Sequence, residues 1–174
     1  MNLLKKLFDI LNIIIGKILS ILMILLIINV FYDVIARYFF NGGSIAMQEF
    51  EWHIFGVIIL FGMSYTLKEE GHVRVDFLYN NFSAKTQAII NILGTIFFII
   101  PLAILIVYGS YDFVMDSYTT NEISEDPGGL THRWIIKAMI PLSFIYLIIT
   151  SFGYILDNIQ KYKENKKIIE DVEV

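Results

Sequence analysis

Four long apolar runs restrict what this chain can fold into more than any other feature of its sequence. They are Leu11–Tyr32, Trp52–Leu67, Ala88–Tyr111 and Trp134–Leu156. An α-helix needs about 20 apolar residues to cross the hydrocarbon core of a bilayer, and all but the second run reach that length. Because the second run is short, we expect its helix to begin near Ser44 and its span to cover about residues 46–67.

The composition leaves too little polar surface for a soluble globule built around these runs. Hydrophobic residues make up 56% of the chain and charged residues only 17%, against about 25% in soluble domains. The sequence therefore predicts an all-α integral membrane protein with four transmembrane helices. We expect one membrane domain over residues 1–156, short interfacial helices such as one at residues 3–9, and a charged cytoplasmic tail over residues 157–174.

The charge distribution predicts how the spans are oriented. Lysines and arginines near the ends of spans favour the cytoplasmic side of a membrane. The predicted layout puts only Arg37 and Arg133 on one side and nine basic residues on the other, so both termini are expected in the cytoplasm. The nine are Lys5, Lys6, Lys68, Arg74, Lys85, Lys161, Lys163, Lys166 and Lys167. A net charge of −4 argues against nucleic-acid binding.

A face of small and weakly polar residues runs along the first predicted helix. Asn12, Gly16 and Ser20 recur every four residues and so share one face, which suits close packing against another helix. Lys17 stands beside this face and can extend its ammonium group to the inner headgroups.

Asp33 and Arg37 lie near the outer end of the same helix. Their spacing of four residues allows an ion pair within the helix. The same two side chains can instead dock another membrane protein through that face. The sequence leaves both interpretations open.

The spans do not contain the polar groups that a substrate pathway usually needs. Ion and proton relays use several carboxylates or histidines near mid-bilayer, and the central turns of all four runs have none. The irregular positions are Asn91 and Pro101 in the third span and Pro141 in the fourth. Each proline removes a backbone hydrogen bond and is expected to kink its helix. The pattern indicates a scaffold rather than a substrate path.

Catalysis and cofactor binding have equally little support. His53, His72 and His132 stand apart, whereas a membrane haem site needs two histidines that face each other inside the helices. The chain has no cysteine, which excludes disulfides and thiolate metal sites. It has no serine-nucleophile or glycine-rich phosphate motif. We expect a protein that is not an enzyme and that binds no cofactor or metal itself.

Two connectors between the spans have distinctive sequences. Gly71–Asp76 alternates apolar and polar residues, which suits a segment lying along the inner membrane interface. The outer connector is acidic, contains the turn-forming residues Pro127–Gly129 and leads to Trp134 and Lys137. Tryptophans at span ends commonly anchor a helix at the interface, so Trp52 and Trp134 are predicted anchors.

Several of these segments occur in one order over roughly residues 15–155 of the chain. They are Asp33–Phe40, Glu49, Gly71–Asp76, Pro101, Ser117, Glu122, Ser124, Asp126–Leu130, Trp134, Lys137 and Pro141. Their order and spacing, together with the four-span layout, resemble the small membrane subunit of the tripartite ATP-independent periplasmic (TRAP) transporters. Two alternatives of other classes are the membrane anchor of a redox enzyme and a small self-contained channel or exporter.

The resemblance implies a role in secondary transport across the bacterial inner membrane. Such subunits pair with a large multi-span permease that carries the substrate and sodium sites, and a periplasmic binding protein delivers the substrate. That substrate is typically an organic acid, such as a dicarboxylate or a sialic acid. The small subunit is expected to extend the scaffold of the large one and to help dock the binding protein. Membrane lipid is its remaining expected partner.

The resemblance also implies roles for individual residues. The outer face that docks the binding protein is expected to consist of Asp33, Arg37, Glu49, Glu122, Ser124, Asp126, Gly128, Gly129 and Arg133. An inner interfacial segment is expected to contain His72, Arg74 and Asp76. Apart from the resemblance, the residue patterns described above predict helix packing or kinking at Gly16, Ser20, Asn91, Pro101 and Pro141, and interfacial anchoring at Trp52, Trp134 and Lys137.

Overall fold

The computed structural model describes residues 2–40, 42–69, 79 and 81–172, with side chains over 5–40, 42–69, 79 and 81–163. Its helices are α1 (Asn2–Phe39), α2 (Ile45–Lys68), α3 (Ala84–Gly94), α4 (Ile100–Thr119) and α5 (Trp134–Val172). A π-helical turn, Thr95–Ile99, joins α3 to α4 without a break. α1, α2, the joined α3–α4 unit and α5 are each long and apolar enough to cross a membrane. The prediction of an all-α, four-span membrane protein is therefore confirmed.

The helices extend beyond their apolar runs. α1 is 38 residues long and includes residues 3–9, where the sequence predicts a separate interfacial helix. The first 15 residues contain no glycine or proline, so nothing in that segment ends a helix. α5 likewise continues past residue 157 into the segment expected as a tail and ends at Val172. α2 begins at Ile45, directly after Ser44.

α5 is the central helix of the bundle. It packs against α1, α2, α3 and α4, whereas α1 packs mainly against α2 and α5. The buried apolar cluster follows this arrangement. Its members are Leu67 of α2, Ala103 of α4, and Phe144, Leu147 and Tyr154 of α5. α1 and α4 therefore flank a core that is centred on α5.

Several small polar residues are almost fully buried, whereas most large apolar side chains of α1 and α4 are exposed. Ser64, Ser143, Ser151 and Thr95 are each at most 1% exposed. Most isoleucines, leucines and phenylalanines of α1 and α4 are exposed by contrast, and Phe31 is one example. Lipid tails solvate large apolar side chains as well as protein does, so small residues favour helix association in a bilayer. The burial pattern is the one expected of a helix bundle in lipid.

The third span contains the irregularity that Asn91 and Pro101 indicate. Pro101 has no backbone N–H, and the π turn, which replaces i→i+4 hydrogen bonds by i→i+5 bonds, lies directly before it. Thr95 Oγ1 also donates to the Asn91 carbonyl at 2.7 Å. α5 differs, because it stays helical through Pro141.

The two ends of the bundle contain different segments of the chain. One end contains the link between α1 and α2 and the connector, residues 120–133, between α4 and α5. We name it the connector end. The opposite end, which we name the terminal end, contains the start of α1, the end of α2 and Asp157 of α5.

Candidate functional site

The connector is folded back on itself. Two backbone hydrogen bonds pair its halves: Ser124 N–H donates to the Leu130 carbonyl at 3.0 Å, and Arg133 N–H donates to the Glu122 carbonyl at 3.1 Å. The turn between the halves contains Gly128, whose φ of 85° is readily adopted only by glycine. The connector thus has a defined shape at the surface of the connector end.

Glu49 of α2 attaches the connector to the bundle. Its carboxylate accepts hydrogen bonds from Ser124 Oγ and from the backbone N–H of Leu130, the latter at 2.5 Å. Gly129 passes so close that a Cβ there would lie 2.8 Å from Glu49 Oε2 and would collide with Ser124. One carboxylate therefore determines the position of both halves of the connector, and glycine at position 129 permits the approach.

A second carboxylate, Glu122, links the start of the connector to the start of α5. Lys137 Nζ donates to Glu122 Oε2, and Arg133 Nε lies 3.9 Å from Oε1. The hydrogen bond from Lys137 lowers the pKa of Glu122 below its ordinary value of 4.5. The Lys137 ammonium group also lies 4.1 Å from the centre of the Phe113 ring. α4, the connector and α5 are joined at this point.

The two predicted aromatic anchors lie at the connector end in different settings. Trp134 packs edge-on against Tyr118, with ring centres 5.4 Å apart. Trp52 is 78% exposed on α2. It borders a cleft of about 290 Å³ between α2 and the connector, which is lined by both acidic and basic side chains, among them Asp126 and Arg133. This mixed charge suits a polar protein contact better than a site for a single ion.

Asp33 and Arg37 form an ion pair within α1. Asp33 is 4% exposed, whereas the Arg37 side chain is half exposed. Beside them, Asn29 Nδ2 donates to Glu51 Oε1 at 3.1 Å and to the Met47 carbonyl at 3.3 Å. These contacts close the interface between α1 and α2 at the connector end. The Arg37 guanidinium group remains accessible at the surface.

The face formed by Asn12, Gly16 and Ser20 contacts two other helices. Asn12 Oδ1 accepts a hydrogen bond from the Tyr146 hydroxyl of α5 at 3.1 Å. The Tyr65 ring of α2 lies across Gly16, where a Cβ would be 2.5 Å from a ring carbon. Ser20 Oγ donates to the Gly16 carbonyl at 2.9 Å and so stays within its own helix.

Asn91 connects the third span to α5. Its Nδ2 donates to Asn158 Oδ1 and to the Tyr79 hydroxyl, each at 2.9 Å. Asn158 is 1% exposed, and its own Nδ2 donates to the Tyr154 carbonyl at 2.9 Å. The polar groups of this buried contact therefore satisfy one another. The predicted inner interfacial residues His72, Arg74 and Asp76 lie outside the described residues.

An ion cluster at the terminal end joins three helices, and the sequence patterns above do not single it out. Lys68 of α2 pairs with Asp157 of α5 and, at 2.8 Å, with Asp9 of α1. Asp157 also pairs with Lys5 at 2.8 Å. Lys68 and Asp157 are each the first charged residue after an apolar run, and that position is the signal by which the sequence marks them.

A metal centre of the usual kind is absent from the described residues, because no three His, Asp or Glu side chains come together there. Instead, the charged and polar side chains at each end of the bundle pair with other groups at the same end. The arrangement serves to hold helices and the connector in place.

Similarity to known proteins identifies the family of this bundle. The model of the tripartite ATP-independent periplasmic transporters, DctQ component, matches residues 26–161. The chain belongs to the DctQ family. Two proteins of Haemophilus influenzae, each named a TRAP transporter small permease protein, are similar to it. One is 28% identical over 148 residues, 84% of this chain and 85% of the relative. The other is 32% identical over 138 residues, 76% of this chain and 85% of the relative.

The DctQ match covers most of the polar contacts described above. It includes Glu49, the connector, Asn91 and Asp157, and it begins beyond the face of Asn12, Gly16 and Ser20. Membership in the DctQ family makes the protein a TRAP transporter component, as the order of motifs in the sequence indicates. It argues against the redox-anchor and self-contained-channel alternatives.

Proposed function

We propose that this protein is the small subunit of a TRAP transporter for organic acids in the bacterial inner membrane. It scaffolds a large permease subunit, which carries the substrate and sodium sites, and it helps to dock a periplasmic substrate-binding protein. The substrates are of the dicarboxylate or sialic acid class. The chain carries out no catalysis and binds no cofactor. Both termini lie in the cytoplasm, and the connector end faces the periplasm.

The attached connector is the observation that supports docking most directly. Glu49 and Glu122 hold it from within the bundle, while Glu125 and Asp126 are exposed and form no ion pair with a described residue. A surface that is ordered before binding loses little conformational entropy when a partner arrives. Exposed carboxylates on such a surface suit a partner with a basic patch.

The outward apolar faces of α1 and α4 support the scaffold role. Ile27 of α1 is 62% exposed, and Leu105 and Tyr108 of α4 are 68% and 85% exposed. Both helices pack against α5, and α1 packs mainly against α2 and α5, so these faces belong to different parts of the bundle surface. They leave two separate surfaces available to lipid and to a large subunit.

Co-purification tests the scaffold role. The tagged protein, expressed in its own host and extracted in a mild detergent, is expected to bring down one large multi-span membrane protein in equal amount. Recovery of the chain by itself would contradict the proposal and favour a self-contained channel. Recovery with a soluble flavin or iron–sulfur enzyme would contradict it in favour of a redox anchor.

Charge reversal at the connector tests docking separately. In the complex with the large subunit, Glu125→Lys combined with Asp126→Lys is expected to weaken capture of the binding protein severalfold. Lys6→Glu, a reversal at the terminal end, is the matched control and should leave capture unchanged. Equal capture by both variants would exclude the connector from docking. Uptake of labelled organic acids into liposomes under a sodium gradient then identifies the substrate class.

A further inference from the structure

A cavity of about 490 Å³ lies between α1 and α2 toward the terminal end. On the α1 side it is lined by Gly16, Ser20 and their neighbours Ile13, Lys17 and Ile21. The Tyr65 ring, which packs against Gly16, forms part of its wall. The function proposed above does not involve this cavity.

Lys17 lines the cavity at a depth where a positive charge needs a partner. It is eight positions along α1 from Asp9, or about 12 Å, and Asp9 belongs to the ion cluster of the terminal end. Lys17 is exposed and forms no ion pair with any residue that the structure describes. A lysine in such a position extends its flexible side chain toward the headgroup level. Its ammonium group is therefore available to an anion bound at the cavity.

Glu69 contributes a negative charge at the shallow end of the same cavity. It follows Lys68, which is part of the ion cluster, so it lies at the level of the terminal end. Its carboxylate has no ion pair within the described segments. The Tyr65 hydroxyl, one helical turn deeper, has no hydrogen-bond partner among them either. The cavity thus presents a cation from α1, about two helical turns beyond Asp9, together with a phenolic hydroxyl and, at the level of the ion cluster, an anion.

This order of charges matches a phospholipid with a primary amine headgroup. In such a lipid the phosphate lies deeper than the ammonium group, and the phosphate is a favourable partner for lysine. We propose that the cavity binds one phospholipid of this class, with its phosphate at Lys17 and its ammonium group at Glu69. The acyl chains lie along the apolar side chains deeper on α1, beginning with the exposed Ile21 and Ile24.

The proposal distinguishes among common headgroups. Phosphatidylglycerol offers a phosphate to Lys17 but no cation to Glu69. Phosphatidylcholine offers both charges, but its quaternary ammonium group has no N–H to donate. Only phosphatidylethanolamine among the three satisfies both side chains with charge-assisted hydrogen bonds.

Native mass spectrometry of the full-length protein with an equimolar mixture of these three lipids tests the proposal. We expect one phosphatidylethanolamine molecule to remain bound in preference to the others. Lys17→Gln is expected to lower its occupancy about tenfold, the effect of losing one charge-assisted contact. Glu69→Gln is expected to abolish the preference for phosphatidylethanolamine over phosphatidylcholine. Lys6→Gln and Glu125→Gln make the same charge changes outside the cavity and should have no effect.

Equal retention of the three lipids by the unmodified protein would overturn the proposal, and so would unchanged binding in Lys17→Gln. Both variants should fold normally, because Lys17 and Glu69 are exposed and form no ion pair with a described residue. Tyr65→Phe provides a second measurement that preserves the packing against Gly16. It removes only the hydroxyl and is expected to weaken phosphatidylethanolamine binding severalfold. Binding at the unmodified level in that variant would exclude the hydroxyl from the site.

Discussion

The backbone N–H of Leu130 donates a hydrogen bond of 2.5 Å to Oε2 of Glu49, a residue 81 positions earlier in the chain. The same carboxylate accepts from Ser124 Oγ, on the other half of the connector. The connector, whose acidic sequence is typical of a solvent-exposed loop, is thereby attached to α2.

Removal of the Glu49 carboxylate should release the connector. In Glu49→Ala, we expect hydrogen–deuterium exchange of residues 122–133 to become severalfold faster, because two anchoring acceptors are lost, while exchange within α5 stays slow. Glu51→Ala is the matched control, since Glu51 contacts Asn29 of α1 and not the connector. Unchanged exchange in Glu49→Ala would show that the backbone bonds of the connector suffice to hold it.

The attachment through Glu122 should depend on pH. Its pKa is lowered in the folded protein, first of all by the hydrogen bond from Lys137. The stability it contributes is therefore present above the ordinary value of 4.5 and is lost as the pH falls through the lower folded value. We expect acidification from neutral pH to values below 4.5 to loosen the connector.

Tryptophan fluorescence can follow this transition. In a Trp52→Phe background only Trp134 emits, and it lies beside the connector against Tyr118. Its emission is expected to shift on acidification, and Glu122→Gln should reduce the shift. A shift of equal size in Glu122→Gln would assign the transition to another group.

The ion cluster at the terminal end should contribute measurably to stability. Lys68→Met leaves Asp9 and Asp157 without their shared partner, so we expect a loss of about 1–3 kcal/mol in the free energy of unfolding. This is below the roughly 3–5 kcal/mol of fully buried pairs, since the Lys68 and Asp157 side chains are 13% and 18% exposed. Lys5→Met should cost less, because that side chain is 40% exposed. Unfolding in mixed detergent measures both, and equal losses would contradict this ranking.

The contact between Asn91 and Asn158 should contribute about 1 kcal/mol, the usual range for a hydrogen bond between membrane helices. Asn158→Leu removes the acceptor of the 2.9 Å bond from Asn91 Nδ2. In a double-mutant cycle with Asn91→Leu, the second substitution should cost little once the first is present. Additive losses would mean that the two side chains act independently.

Gly16 should tolerate no side chain while Tyr65 is present. A Cβ at position 16 would lie 2.5 Å and 3.0 Å from two Tyr65 ring carbons, so Gly16→Ala is expected to destabilise the protein by about 1–3 kcal/mol. Tyr65→Leu should restore part of that loss. Gly109→Ala is the control, because no atom lies within 4 Å of a Cβ there. It is expected to be neutral or stabilising, since alanine favours a helix over glycine. A loss in Gly109→Ala as large as that in Gly16→Ala would point to a general effect of replacing helical glycines.

The number of spans, their positions and the chemistry within single helices follow from the sequence by itself. Apolar length is a local property, so four runs predict four membrane helices without knowledge of how they pack. The ion pair of Asp33 with Arg37 is local in the same sense, because helical geometry brings residues four apart together. The order of motifs was sufficient to indicate the family.

Only the tertiary structure decided which distant polar groups meet. Lys68, Asp9 and Asp157 come from three helices, and the bond between Glu49 and Leu130 joins a helix to a loop. Periodicity states which residues share a face of one helix, but not which helix lies opposite that face or at what height. That relation depends on the packing of small residues such as Gly16 against Tyr65, which is a property of the assembled bundle.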